Sequence, residues 1–110
     1  PHMLWRRQNK VAEFASVIHH PPLGMFPDWR CEVERLALSP GDLLLLYTDG
    51  VTEARAGKEL FGEQRLIESF RQRIDVPLAA LPSVLLGEVL AFSGGNLEDD
   101  VAMMAVEITA

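Results

Sequence analysis

The stretch that most constrains this chain is Gly41-Asp42-Leu43-Leu44-Leu45-Leu46-Tyr47-Thr48-Asp49-Gly50-Val51-Thr52-Glu53-Ala54. Leu43 to Tyr47 is an unbroken run of five apolar or aromatic residues, far too short for a membrane span. Turn formers bracket it, Pro40-Gly41 before and Asp49-Gly50 after, so the run predicts a short β-strand buried on both faces. That strand delivers Asp49 to its C-terminal end, where Gly50 permits a tight turn. A carboxylate so placed is either an ordinary Asp-Gly turn or a group aimed at a ligand, and the remaining residues have to decide.

Composition narrows the field. With 110 residues, 48% of them apolar, the chain makes one globular domain with a core. Its formal charge of −6 argues against nucleic acid or an anionic membrane surface as partner. Arg6, Arg7 and Lys10 form the one basic cluster, too small for an electrostatic footprint. A single cysteine, Cys31, cannot form an internal disulfide, which suits a reducing cytoplasm. No run is long enough for a spanning helix, and the N-terminal stretch lacks the pattern of a signal peptide. Pro1-His2-Met3 reads as a cloning remnant, leaving residues 4–110 as the domain.

Along the chain, Leu4–Arg7 and Lys10–Ile18 flank Gln8-Asn9 and predict a β-hairpin, with Asn9 able to take a positive φ. His19-His20-Pro21-Pro22 ends it. Leu23 to Asp28 is an apolar loop. A strand is expected from Arg30 to Leu38, with a bulge near Glu34-Arg35 because its apolar phase slips. Ser39 to Asp42 would then turn it back as the antiparallel neighbour of Leu43–Tyr47. After a loop at Ala56–Glu59, Leu60-Phe61-Gly62 anchors a helix over Glu63–Arg73, whose apolar face is Leu66, Ile67 and Phe70, extended by Ile74. A second helix runs from about Pro77 to about Phe92 on a stripe of Leu78, Leu81, Leu85, Val89 and Phe92. Pro82 delays or kinks its start, and Ser93-Gly94-Gly95-Asn96 ends it. Val101–Ile108 is a closing strand with two apolar faces.

Glu98-Asp99-Asp100 directly precedes that last strand. If the two strands lie antiparallel in one sheet, Asp49 and Asp99-Asp100 share a sheet edge. There the carboxylates could hold a hard divalent cation, Mg²⁺ or Mn²⁺, which also relieves their mutual repulsion. A solvated turn is the alternative for the Asp pair. The other chemistry-bearing residues point to plainer roles. His19 and His20 face opposite ways if extended and cannot easily share a metal. Cys31 lacks a basic neighbour and suits core packing. Met103-Met104 suits core filling, and Trp5 and Trp29 suit a contact surface.

Four segments occur in order: Pro22–Pro27, Leu38–Arg55 with Tyr47-Thr48-Asp49-Gly50-Val51-Thr52-Glu53-Ala54-Arg55 at its heart, Phe61–Leu66, and Asp99-Asp100-Val101. Together they closely resemble the C-terminal part of the SpoIIE-like branch of bacterial PPM (protein phosphatase 2C-like) serine/threonine phosphatases. The resemblance covers about Leu4 to Ile108. It implies an α+β fold, here part of an α-β-β-α sandwich of antiparallel strands with two helices from the C-terminal half. It also implies a binuclear Mn²⁺ or Mg²⁺ site whose activated water attacks phosphoserine or phosphothreonine.

Residue by residue, Asp49 matches one metal ligand and Asp99 another. Asp100 is the adjacent candidate, and Thr48 and Gly50 support the motif. The implied substrate is a phosphoprotein such as an anti-sigma-factor antagonist in bacterial stress or sporulation signalling. The family's two earlier acidic motifs, a Gly-Asp and an Asp-Val-Ser-Gly type, have no counterpart between Met3 and Pro40, and Ala102 stands where Thr is common. The resemblance therefore implies weak or absent metal in this chain alone and no catalysis by it. A partial sandwich, with an exposed sheet face and open edges, is expected to form a homodimer or strand-exchanged assembly. The alternative is a non-catalytic binding or regulatory module that retains part of the fold.

Overall fold

A computed structural model describes residues 2–14, 24–28 and 33–110. Four antiparallel strands form the main sheet in the order β2-β1-β3-β6, with β1 at His2–Arg6, β2 at Val11–Phe14, β3 at Leu43–Tyr47 and β6 at Met103–Glu107. Between β3 and β6 the chain makes a single helical turn, α1 (Asp49–Thr52), and a two-residue ribbon of β4 (Arg55–Ala56) and β5 (Glu59–Leu60). Two longer helices follow, α2 (Gly62–Gln72) and α3 (Leu81–Ser93). The architecture is α+β.

Strand alternation sorts the sheet into two unlike faces. Met3 and Trp5 of β1 stand opposite Leu45 and Leu43 of β3, and all four are buried. With Tyr47 they pack against Val51, Phe61, Leu66, Phe70, Leu81, Leu85 and Val89 from the helical side. Removing that much apolar surface from water is the main favourable term for this layer. The other face carries Leu4, Leu44, Leu46, Met104 and Val106. Leu4 is fully buried there, but Leu46 is 37% and Met104 61% exposed. The expectation that Leu43–Tyr47 is buried on both faces is thus corrected, because among the described residues the helices pack on one side and Leu46 stays exposed on the other.

The helices follow from their patterns. On α2 the fully buried residues are Leu66 and Phe70, four apart, with Ile67 and Ile74 packed against the core. Pro82 occupies the first turn of α3, where its missing N–H costs nothing, so the helix starts late, after a 3₁₀ turn at Leu78–Ala80. Leu81, Leu85 and Val89 form its buried stripe, whereas Leu78 stays 36% exposed. Gly94 closes the helix in the left-handed region at φ 69°. Phe61 and Phe92 meet edge to face at 5.5 Å, and the Arg65 guanidinium lies 4.6 Å above the Phe92 ring.

Several expectations change. Residues 33–38 form no strand, and Val33 is 81% exposed. Val33, Leu36 and Leu38 do not alternate, so no coherent apolar face forms, and β1 takes the place beside β3. The hairpin turn spans Arg7–Lys10, and its positive φ (52°) falls on Lys10 rather than Asn9. Trp5 is core, not a contact surface. Met103 packs on the core, but Met104 points away from it. His2 and Met3 lie within β1, and Met3 is fully buried. The expected loop at Ala56–Glu59 is the β4–β5 ribbon. His19, His20, Trp29 and Cys31 lie outside the described residues.

At the N-terminal end of β3, Asp42 is buried and fully engaged. Its Oδ1 accepts the Arg7 N–H at 3.0 Å, its Oδ2 accepts the Ser39 N–H at 2.9 Å, and Arg6 stands 3.7 Å away. The Ser39 and Arg7 amides, with help from the nearby guanidinium groups, hold its carboxyl below the usual carboxylate range. A depressed folded-state pKa makes this contribution complete above about pH 5 and lost as pH falls through the folded value. Asp42→Asn should therefore lower stability at neutral pH and flatten its acid limb, which urea unfolding from about pH 6 to pH 2 will read. Phe70→Ala should cost about 3–5 kcal/mol in the same assay at pH 7.

Candidate acidic site at the sheet end

The antiparallel pairing of β3 with β6 sets Tyr47 opposite Met103. The exit of β3 and the entry of β6 therefore lie at the same end of the sheet, and with them Asp49 and Asp99-Asp100. Past the last strand pair the two chains stay in register, because the Thr48 N–H donates to the Ala102 carbonyl at 3.1 Å. The Thr48 hydroxyl donates to the Asp100 carbonyl at 3.1 Å and accepts the Ala102 N–H at 3.0 Å.

Asp49 opens α1 rather than a simple turn. Its carbonyl accepts the Glu53 N–H at 2.8 Å and the Thr52 hydroxyl at 3.2 Å. Gly50 is buried against the opposite loop. A Cβ built there would sit 2.3 Å from the Asp100 carbonyl oxygen and 3.2 Å from that of Asp99, so only glycine admits this approach. On the other arm the Asp99 Oδ1 accepts the Asp100 N–H at 2.8 Å. Arg55 and Glu98 meet at 3.2 Å and tie β4 to the start of that arm. Asp49, Asp99 and Asp100 are all exposed. An open groove of about 510 Å³ runs beside the second arm, lined by Leu86, Leu97, Glu98, Asp99, Asp100 and Val101.

Tyr47 lies under the site on the core face. Burial, then the charges of Glu63 and Asp49, push its phenol up to about 12, so it stays protonated at neutral pH. Carboxylate oxygens are the right donor type for Mg²⁺ or Mn²⁺. Their number falls short, since among the described residues no three His, Cys, Asp or Glu side chains converge on one point. Among the described residues the two arms meet through backbone. Sequence reasoning placed Asp49, Asp99 and Asp100 at this end but missed α1 and the hydrogen bonds of the Thr48 side chain. A threonine at the junction of a strand and an Asp-Gly was the available signal.

Comparison with known proteins bears on the fold. The chain matches the family of stage II sporulation protein E (SpoIIE) over residues 1–109. Protein IcfG of Synechocystis is 36% identical over 88 residues, covering 78% of this chain but 14% of that protein. The phosphatase domain of the cell fate determinant SpoIIE from Bacillus subtilis superposes with a TM-score of 0.75 at 20% identity, over all of this chain and 48% of that one. A manganese-presoaked form of it gives 0.75 at 22% identity, over 47% of that chain. A crystal form without domain swapping gives 0.69 at 22%, over 46%. This chain belongs to the SpoIIE family, and its fold is that of a PPM-type phosphatase domain. It spans about half of the solved domains it matches. Among the described residues no helix is long and apolar enough to cross a membrane.

Gly50→Ala is expected to cost about 1–3 kcal/mol, because the new methyl must displace the Asp100 carbonyl rather than a flexible side chain. Urea unfolding measures the loss, and amide chemical shifts confined to residues 48–51 and 99–102 locate it.

Proposed function

We propose that this chain is part of a metal-dependent protein serine/threonine phosphatase that acts in bacterial signalling. In this reading Asp49 and Asp99 form one acidic arm of a Mn²⁺ or Mg²⁺ site, with Asp100 beside them. The observation that carries it is the β3–β6 pairing, which brings the Asp49 turn against the Asp99-Asp100 backbone at one sheet end. Asp49 and Asp99, with further ligands from outside the described residues, would hold the divalent cation, and the chemistry it would supply is activation of water for hydrolysis of a phosphate ester. The chain's own residues orient carboxylates, and the remaining ligands must come from another segment. Isolated, the chain is not expected to turn over substrate. The substrate class suggested by the family resemblance is a phosphoserine or phosphothreonine protein, such as an anti-sigma-factor antagonist.

A second reading has a specific observation behind it. No three candidate ligands converge among the described residues, which favours a non-catalytic module that keeps the fold. Manganese separates the two. Under the phosphatase reading, Mn²⁺ broadens the amide resonances of residues 48–50 and 99–101 by paramagnetic relaxation, and Asp49→Asn removes the effect. Broadening that is absent, or indifferent to Asp49→Asn, defeats the metal-arm reading. Hydrolysis of a chromogenic phosphate ester by the chain, abolished by Asp49→Asn, would rule out the non-catalytic module.

We also infer that the half-covered sheet face mediates self-association as a homodimer or strand-exchanged assembly. Leu46 and Met104 leave apolar surface on that face, and among the described residues β2 and β6 are the outer strands of the sheet. Light scattering should show a mass above one chain, reduced by Met104→Lys. A monomer at all concentrations would refute it.

A further inference from the structure

We propose that Thr48 is a positioning residue that locks the Asp99-Asp100 arm onto the Asp49 turn, so that both acidic arms move as one unit. This rests on the reading of Asp49 and Asp99 as the arms of a cation site. The starting observation is a capping group spent elsewhere. Thr48 is the N-cap of α1, with extended φ −92° and ψ 160°, and threonine there ordinarily accepts an N–H of its own helix. It makes no such bond.

Instead the hydroxyl uses its one proton and a lone pair across the sheet end, on residues 52 and 54 positions away. Its proton goes to the Asp100 carbonyl, and its oxygen receives the Ala102 N–H. With the backbone bond to Ala102, three hydrogen bonds run from one residue to the opposite arm.

The consequence reaches a carboxylate. Asp100 is held on both sides, its carbonyl by Thr48 and its N–H by the Asp99 Oδ1. Fixing Asp100 therefore fixes the direction from which the Asp99 carboxylate is restrained, and leaves the Asp99 Oδ2 without a partner among the described residues. Gly50 supplies the space for this approach, since any Cβ would push the same Asp100 carbonyl away. Thr48 and Gly50 thus act on one oxygen atom, one by attraction and one by lack of bulk.

The test uses Thr48→Val, which keeps the branched shape but loses both side-chain bonds, and Thr48→Ser, which keeps them. Without metal, Thr48→Val should speed hydrogen exchange of the Ala102 amide about tenfold and weaken the Gly50–Asp100 nuclear Overhauser contacts, while Thr48→Ser stays near wild type. With Mn²⁺ alone as probe, the midpoint of amide broadening at residues 99–101 should weaken several-fold in Thr48→Val and recover in Thr48→Ser. Should Thr48→Val fail to fold, Gly50→Ala must show the same loosening of residues 99–102.

Wild-type exchange in Thr48→Val, or a Thr48→Ser as disturbed as Thr48→Val, overturns the lock. Faster exchange with an unmoved Mn²⁺ midpoint, where Asp49→Asn still abolishes broadening, overturns the positioning role and leaves the metal reading standing. Broadening indifferent to Asp49→Asn defeats the metal reading itself, and with it the role of Thr48 toward a cation.

Discussion

The pairing of β3 with β6 is the interaction on which the rest of this molecule depends. Its five residue pairs run from Leu43 opposite Glu107 to Tyr47 opposite Met103, and backbone bonds extend the ladder at both ends. At one end Gly41 donates to Ile108 at 2.7 Å and Ile108 to Asp42 at 2.9 Å, beside the buried Asp42 carboxylate. At the other end Thr48 continues the pairing toward Asp100. A slip of one residue would turn Leu43, Leu45 and Tyr47 away from the helices and carry Asp99 past Asp49. Register, core and acidic site are therefore one property of the same ladder.

Among the described residues, helices cover one face of the sheet that holds this ladder. The covered face is well packed, with Met3, Leu45, Leu66, Phe70 and Val89 wholly buried. The other face keeps Leu46 and Met104 in solvent, which suits a chain spanning about half of the solved domains it matches. Carboxylates gathered at a sheet end gain from a cation, but two short arms offer too few donors to replace much of its hydration shell. The fold thus holds acidic groups in place without completing a site from its described residues.

Local signals were legible where one physical cause acted alone. The α2 face could be read because Leu66 and Phe70 recur at helical spacing, and the late start of α3 because proline is cheap only in a first turn. The expected strand over Arg30–Leu38 failed, as far as it is described, for the opposite reason. Its apolar residues fit neither period, and the place beside β3 went to β1, far off in sequence. Thr48 was legible as a motif residue but not as a link, since nothing local says whether a hydroxyl caps its own helix or crosses to another strand.

By itself the sequence determined the core strand Leu43–Tyr47, the amphipathic helix α2 and the more uniformly apolar helix α3, and the residues Asp49, Asp99 and Asp100 as the acidic ends of two strands. It did so through periodicity and turn chemistry, which act over a few residues. Only the tertiary structure decided that those ends are neighbours, that Gly50 lies against the Asp100 carbonyl, and that Thr48 joins the arms. Those facts depend on hydrogen bonds between residues more than fifty positions apart, and a pairing at that distance is chosen by the packing of the whole sheet.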